Sequence, residues 1–133
     1  MKPNPYEVIP ARVEETIPES PLIMTLRLRP ERPLPFRTGQ FIELSLPGVG
    51  EAPFTPSSSQ FVTDIMDVTV MKAGFVTEEV HRCRPGDRVG LRGPFGSSYP
   101  LDKFEGKDLL ILGGRLRAGP APFAVPDPPR RER

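Results

Sequence analysis

Apolar and polar residues alternate along most of the chain, and this alternation predicts short strands. It is clearest at residues 22–28, where leucine and methionine alternate with a face that carries Arg27 and Arg29, as in a strand with one wet face. Further strands are predicted over residues 8–17, 41–46, 52–59, 65–72 and around Val89 and Leu91. One short helix is predicted at residues 76–83, where the apolar positions share a face. Together these elements predict an all-β fold, a closed six-stranded antiparallel barrel with one short helix.

The prolines refine this picture. The 133-residue chain contains 19 of them, which argues against long helices and for short strands between turns. The first predicted strand, residues 8–17, ends at Pro18 and therefore suits the edge of a sheet.

The last part of the chain breaks the alternation. Leu109–Leu112 is a continuous apolar run, which is typical of a strand buried on both faces in a parallel sheet. Residues 115–133 hold five prolines and five arginines without periodicity and predict a disordered tail. We therefore predict a barrel domain at residues 1–105, the first strand of a second domain at residues 106–114, and the tail.

Charge and cysteine content exclude several classes of function. The net charge of +1 gives no general attraction to nucleic acid or to a membrane. No apolar stretch is long enough to span a membrane, and the first residues do not form a signal peptide, so a cytoplasmic location is expected. Cys83 is the only cysteine, which excludes an internal disulfide or a cysteine-held cluster within the chain. With only His81 nearby, neither a metal site nor a catalytic thiol is expected there.

Two short motifs carry candidate chemistry. Phe54-Thr55 is an aromatic-hydroxyl pair leaving one predicted strand, and Gly74-Phe75-Val76-Thr77 is a glycine turn opening the predicted helix. The two motifs together suit a flavin. The aromatic side chain can cover the flavin ring, the hydroxyl can reach the edge of the ring, and the helix start can hold the diphosphate. Gly93-Pro94-Phe95-Gly96 follows as a turn.

In this order, the motifs resemble the flavin domain of the ferredoxin–NADP⁺ reductase superfamily, in particular the electron-transfer subunits of sulfhydrogenase, anaerobic sulfite reductase and dihydroorotate dehydrogenase. The resemblance covers roughly residues 5–114. It implies a Greek-key barrel that binds FAD, with FMN as the alternative. It also implies that Leu109–Leu112 begins a nicotinamide-nucleotide domain that is truncated here.

The resemblance also implies a set of site residues. Thr55 would be the catalytic hydroxyl near flavin N5. The cofactor-binding residues would be Pro53, Phe54, Thr55, Val70, Lys72, Gly74, Phe75, Val76 and Thr77. Ala52 stands where the resembled family has an arginine, so a cation for the FAD phosphate is missing, and Lys72 is the partial replacement. For Phe54-Thr55, the alternative is a core phenylalanine followed by a threonine in a turn. For the Gly74–Thr77 segment, the alternative is an ordinary capped helix without a ligand.

In intact relatives, the resemblance implies that NAD(P)H reduces the flavin, which passes single electrons to an iron–sulfur centre in a hydrogenase or reductase partner subunit. Without a nicotinamide domain, we expect this chain to be inactive alone. The tail looks frame-shifted, because residues 116–125 read one nucleotide later can encode a glycine loop and helix; a natural proline-rich tail is the alternative. We expect residues 109–112 to pack on the barrel or to pair with a second copy.

Two other functions remain open from the sequence. One is a non-catalytic remnant that folds and at most docks with partner subunits, which the missing arginine at Ala52 supports. The other is a small barrel that binds oligonucleotides or sugars. The near-neutral charge counts against this second alternative.

Overall fold

The computed structural model describes residues 4–110 and 112. Within them the chain forms one antiparallel sheet and two short helices. The strands are β1 (Ile9–Ser20), β2 (Ile23–Pro30), β3 (Phe41–Leu46), β4 (Gly50–Phe54), β5 (Met66–Met71) and β6 (Arg88–Phe95), and the helices are α1 (Phe75–His81) and α2 (Leu101–Phe104). The strand order is β4-β3-β6-β1-β2-β5, so the last strand returns to lie between β3 and β1. This Greek-key arrangement confirms the predicted fold class.

The sheet is not closed, and here the predicted closed barrel is wrong. β4 and β5 stand at the two ends of the strand order. The segment after β4 joins β5 through an isolated bridge between Pro56 and Val68, a 2.8 Å hydrogen bond from the Ser57 N–H to the Asp67 carbonyl, and side-chain bonds of two serines. Pro56 has no N–H to donate, so it cannot extend a ladder. We call this opening, where β4 and residues 55–57 face β5, the seam.

The core lies inside the curved sheet and follows the alternation of the sequence. In β2 the apolar side of the strand, including Leu26 and Leu28, is buried, as predicted. Leu22 is the exception, because it lies in the turn before β2 and is exposed. β3 begins and ends at the predicted residues, and α1 begins one residue before the predicted helix.

β1 differs from the predicted edge strand. It pairs with β6 over residues 9–12 and with β2 over residues 11–20. Its first part therefore lies in the middle of the sheet, and only its second part has a single neighbour. Pro18 lies in that second part, where β1 has no neighbouring strand on one side. On that side no main-chain hydrogen bond is lost when proline lacks an N–H. The proline correctly indicates an open side, but the strand continues to Ser20.

The end of the described chain does not complete a second domain. The helix α2 was not predicted, and Leu109, Leu110 and Leu112 belong to no strand. Leu110 and Leu112 are each 85% exposed, so they do not pack back on the barrel. Pairing with a second copy and the assignment of residues 106–114 stay predictions. Ile111 and residues 113–133, which include the predicted tail, lie outside the described residues.

Candidate functional site

The two predicted motifs lie along the same seam. Helix α1 contacts β3, β4 and β5, and a Cβ added at Gly50 would lie 3.5 Å from Val76 Cγ2. The Pro56–Val68 bridge is antiparallel, and continuing its register sets Phe54 across from Val70. The glycine turn therefore lies toward the start of β4 and the Phe54-Thr55 pair toward its end.

Phe54 points into the core. It pairs with Ile42 on β3, and only 6% of its surface is exposed. Strand alternation places Pro53 on the opposite, outer face, where it is exposed. The structure therefore offers little of the Phe54 ring to a ligand in this arrangement, and ring contact with a flavin stays a prediction.

Thr55 is the first residue after β4 and is 4% exposed. Among the described residues its hydroxyl makes no hydrogen bond. Every fully buried side-chain nitrogen or oxygen in that part of the chain has a partner. The Thr55 hydroxyl is therefore not completely enclosed, although the residue as a whole is nearly buried, and its contact with a ligand stays a prediction.

Gly74 gives the helix start an open face. Its φ of 138° lies in the region that favours glycine, and a Cβ added there would meet no atom within 4 Å. The Thr77 hydroxyl accepts the Ala73 N–H at 2.7 Å and donates to the Gly74 carbonyl at 3.0 Å. Thr77 thus holds the turn, whereas Phe75 is exposed and Val76 is half-buried.

The register of β5 bears on the predicted cofactor contacts of Val70 and Lys72, which stay predictions. The Lys72 N–H donates to the Leu22 carbonyl at 2.7 Å, and the Val70 carbonyl accepts from His81 Nε2 at 2.8 Å. Because main-chain groups alternate sides along an antiparallel strand, those of Thr69 and Met71 face the seam instead. The Lys72 side chain remains exposed.

A polar network beside the seam was missed. The Thr25 hydroxyl lies 2.9 Å from that of Thr69, which donates to Ser57 Oγ at 3.1 Å. The Asp67 N–H donates to Ser58 Oγ at 3.0 Å. These bonds hold the segment after Thr55 against β5 and so fix the end of the seam. They join residues far apart in sequence, and no local pattern signals them.

The charge beside Ala52 is already balanced. On the neighbouring position, Glu51 forms an ion pair with Arg92, and this hydrogen bond lowers the pKa of Glu51. Burial, followed by the nearby Glu51, raises the pKa of Glu43. Arg92 is therefore engaged by Glu51, and the replacement of the family's arginine by Lys72 stays a prediction.

The turn predicted at Gly93–Gly96 is instead the end of β6, since the residues from Gly93 to Phe95 belong to that strand. The Phe95 ring lies 5.6 Å from the Phe41 ring and 6.0 Å from the Tyr6 ring. The Arg92 guanidinium lies 5.6 Å from the same ring. These contacts join β6 to β3 and to the chain before β1.

Among residues 4–110 and 112, no group of three or more His, Cys, Asp or Glu side chains could hold a metal ion. No helix in the same residues is long and apolar enough to cross a membrane.

Comparisons with known proteins agree with the resemblance seen in the sequence. The family model described as "Oxidoreductase FAD-binding domain" matches residues 10–99. The chain is 45% identical over 85 residues to sulfhydrogenase 1 subunit gamma of Pyrococcus furiosus, covering 64% of this chain and 29% of that protein. It is 35% identical over 116 residues to a probable dihydroorotate dehydrogenase B (NAD(+)), electron transfer subunit, of Methanocella arvoryzae, covering 87% and 41%.

Solved structures share the fold. The Amycolatopsis cytochrome P450 reductase matches with a TM-score of 0.66 and 25% identity, over 75% of this chain and 32% of that one. The cytochrome b5 reductase domain of Ulva prolifera nitrate reductase matches with a TM-score of 0.62 and 21% identity, over 70% and 42%. The chain spans less than half the length of the curated relatives named here.

Proposed function

Because this chain belongs to the oxidoreductase FAD-binding domain family, we propose that it is the FAD-binding part of an NAD(P)H-linked electron-transfer reductase. The observation that carries the proposal is the seam. One end presents the solvent-accessible hydroxyl of Thr55, and the other presents the open face of Gly74.

The glycine turn suits the FAD diphosphate. A phosphate can approach the main chain at Gly74 because no side chain or neighbouring atom fills that space. The exposed Phe75 lies beside it, and Lys72 supplies a positive charge where Ala52 does not. Glu78 in the first turn of α1 is exposed and can point away from the ligand.

The flavin ring is assigned to the other end of the seam. Pro53 and the Thr55 hydroxyl are the groups open to it, and the main chain of Thr69 and Met71 lines the facing edge. Phe54 contributes either through the exposed edge of its ring or by supporting Pro53 and Thr55 from the core. When bound, the flavin supplies hydride acceptance and the release of single electrons. The protein holds the ring, excludes water and offers a hydrogen bond from Thr55.

The proposed partners follow from the named relatives. The sulfhydrogenase and dihydroorotate dehydrogenase relatives are subunits, so we assign this chain a partner subunit with an iron–sulfur centre. NAD(P)H would bind a nicotinamide domain that continues from Leu109–Leu112 in an intact relative. We propose a cytoplasmic location and FAD rather than FMN.

A flavin titration tests the proposal. The purified chain should quench the fluorescence of added FAD and bind FMN more weakly, since FMN lacks the diphosphate bridge to adenosine. Gly74→Val should weaken FAD binding by roughly tenfold or more, because its side chain occupies the phosphate approach. The matched control is Gly86→Val, since Gly86 also has positive φ and open space but lies in the turn before β6.

The same titration separates the alternative. A colourless protein that rejects FAD while keeping a cooperative unfolding transition would favour a non-catalytic docking remnant, which the missing arginine at Ala52 supports. Equal FAD affinity in the parent and Gly74→Val would remove the diphosphate assignment. NAD(P)H oxidation by the isolated chain should be undetectable even with FAD added, and robust oxidation would contradict the proposed need for a nicotinamide domain.

A further inference from the structure

Three arginines stand in one row across the sheet, on the side opposite the seam. Arg12 on β1 is the direct partner of Arg29 on β2 and of Arg88 on β6. We call these residues the arginine row. Direct cross-strand partners point to the same face of a sheet, and like charges placed so are unfavourable for folding.

The carboxylates nearby balance this row only in part. Glu14 forms a two-point ion pair with Arg29 and lies 3.9 Å from Arg12. Asp64 lies 3.8 Å from Arg29. Within the described part of the chain, Arg88 has no ion-pair partner. Arg12 therefore shares Glu14 with Arg29, whereas Arg88 is the less compensated of the two, and both are exposed.

The row borders a cavity. All three arginines line a space of about 320 Å³, together with Glu31 and apolar residues that include Pro10 and Pro30. That volume is at the lower end of the range of small-molecule sites, roughly 300–1,000 Å³. Guanidinium groups bind phosphate through paired hydrogen bonds, and those of Arg12 and Arg88, which are not held in a two-point pair as Arg29 is, suit a compact anion of more than one charge.

From this geometry we propose that the arginine row is a binding site for a small phosphate-bearing anion of the diphosphate class. A bound diphosphate would offset the repulsion between Arg12 and Arg88 and would place its oxygens between strands β1, β2 and β6. The site is separate from the flavin seam, because β1 and β6 lie in the middle of the strand order and the seam joins its two ends. The proposal therefore does not depend on flavin binding.

Isothermal titration with inorganic pyrophosphate tests it. We expect saturable binding to the parent chain that weakens with added salt. Arg12→Gln and Arg88→Gln should each weaken it by roughly fivefold or more, because each removes a charged hydrogen-bond donor. Arg37→Gln is the control, since it removes the same charge from an exposed loop residue outside the row. It should bind pyrophosphate as the parent does.

Thermal unfolding provides a second readout. Without ligand, Arg88→Gln should melt at or above the temperature of the parent, because it relieves like-charge repulsion, and this also shows that the variant folds. Pyrophosphate should raise the melting temperature of the parent more than that of Arg88→Gln.

Four results would overturn the proposal. The first is the absence of pyrophosphate binding to the parent chain. The second is an equal loss of affinity in Arg37→Gln, which would reduce the effect to net charge. The third is a loss of pyrophosphate affinity in Gly74→Val as large as that in Arg12→Gln, which would place pyrophosphate in the seam. The fourth is binding of a polyglutamate peptide, sensitive to Arg12→Gln, without binding of pyrophosphate, which would identify a docking surface for an acidic protein.

Discussion

The β1–β2 hairpin and the seam belong to the same sheet but are held in different ways. The hairpin pairs over residues 11–20, and side-chain ion pairs such as that of Arg27 with Glu15 at 3.2 Å reinforce its outer face. Between the described residues of the seam, the main-chain pairing is limited to one isolated bridge and the hydrogen bond from the Ser57 N–H to the Asp67 carbonyl. Pairing stabilises the first region, whereas the second leaves hydrogen-bonding groups for a ligand. The candidate flavin-binding residues therefore lie where the regular pairing between strands ends.

Phe54 gives the largest expected effect, because it lies beside the seam and is also buried in the core that the hairpin covers. Phe54→Ala should lower the free energy of unfolding by about 3–5 kcal/mol through a core cavity. Phe54→Leu keeps most of the apolar volume. If Phe54 only supports the seam from the core, Phe54→Leu should bind FAD nearly as the parent does. If its ring contacts the flavin, Phe54→Leu should lose affinity while staying folded; urea unfolding and FAD titration on the same samples separate the two.

Leu26 provides the counterpart within the hairpin. It is fully buried in β2, and Leu26→Ala should cost about 2–5 kcal/mol in urea unfolding. Since Leu26 points into the core and not into the seam, FAD affinity of the folded variant should stay within about twofold of the parent, well under 1.4 kcal/mol. A large loss of FAD affinity in a variant that remains folded would show that core and seam are coupled.

Thr77 tests how the glycine turn is held. Thr77→Val keeps the shape but removes the bonds with Ala73 and Gly74, and we expect a loss of about 1–2 kcal/mol in stability. The control is Thr63→Val, which changes an exposed loop threonine in the same way. If both variants unfold at the same urea concentration, the Thr77 hydroxyl does not hold the turn.

The smallest expected effect is a pH dependence from surface carboxylates. Hydrogen bonds with Arg29 and Arg92 lower the pKa values of Glu14 in the hairpin and of Glu51 in β4 below the ordinary 4.5. Their stabilisation is present above that value and is lost as the pH falls through the lowered pKa. Glu43 behaves oppositely, because burial raises its pKa and its contribution is lost as the pH rises.

Paired variants assign this dependence to its region. Glu14→Gln and Glu51→Gln should each flatten the acid limb of a plot of melting temperature against pH. The effect should shrink in high salt, because both ion pairs are exposed. An unchanged acid limb in both variants would mean that neither pair contributes.

The sequence predicts local features well and long-range ones poorly. The alternation in β2 and the bounds of β3 depend on neighbours a few residues away, and both are confirmed. The failure of the sheet to close, the central position of the first part of β1 and the network of Thr25, Thr69 and Ser57 depend on which strands meet. Pairing register is set by the whole fold, so no local pattern reveals it.

The candidate site shows the same division. The glycine turn was found because its residues are adjacent in the sequence, and the structure brings it to the same seam as Thr55. The inward direction of Phe54 follows from period-two alternation with Ala52, a signal present in the sequence. The main-chain groups of Thr69 and Met71 face the seam, whereas those of Val70 and Lys72 do not. This difference depends on the register between β2 and β5, which the sequence alone does not reveal.

The place of β6 bears on how the chain acquires its fold during synthesis. β6 is the last strand to be made, yet it lies between β3 and β1. Until Phe95 has left the ribosome, the β1–β2 and β3–β4 hairpins have no strand to join them. Completion of the sheet must therefore wait for nearly the whole domain, as expected for a topology rich in contacts between distant residues. A nascent chain stalled before β6 should be open to proteases, whereas one released after it should resist them.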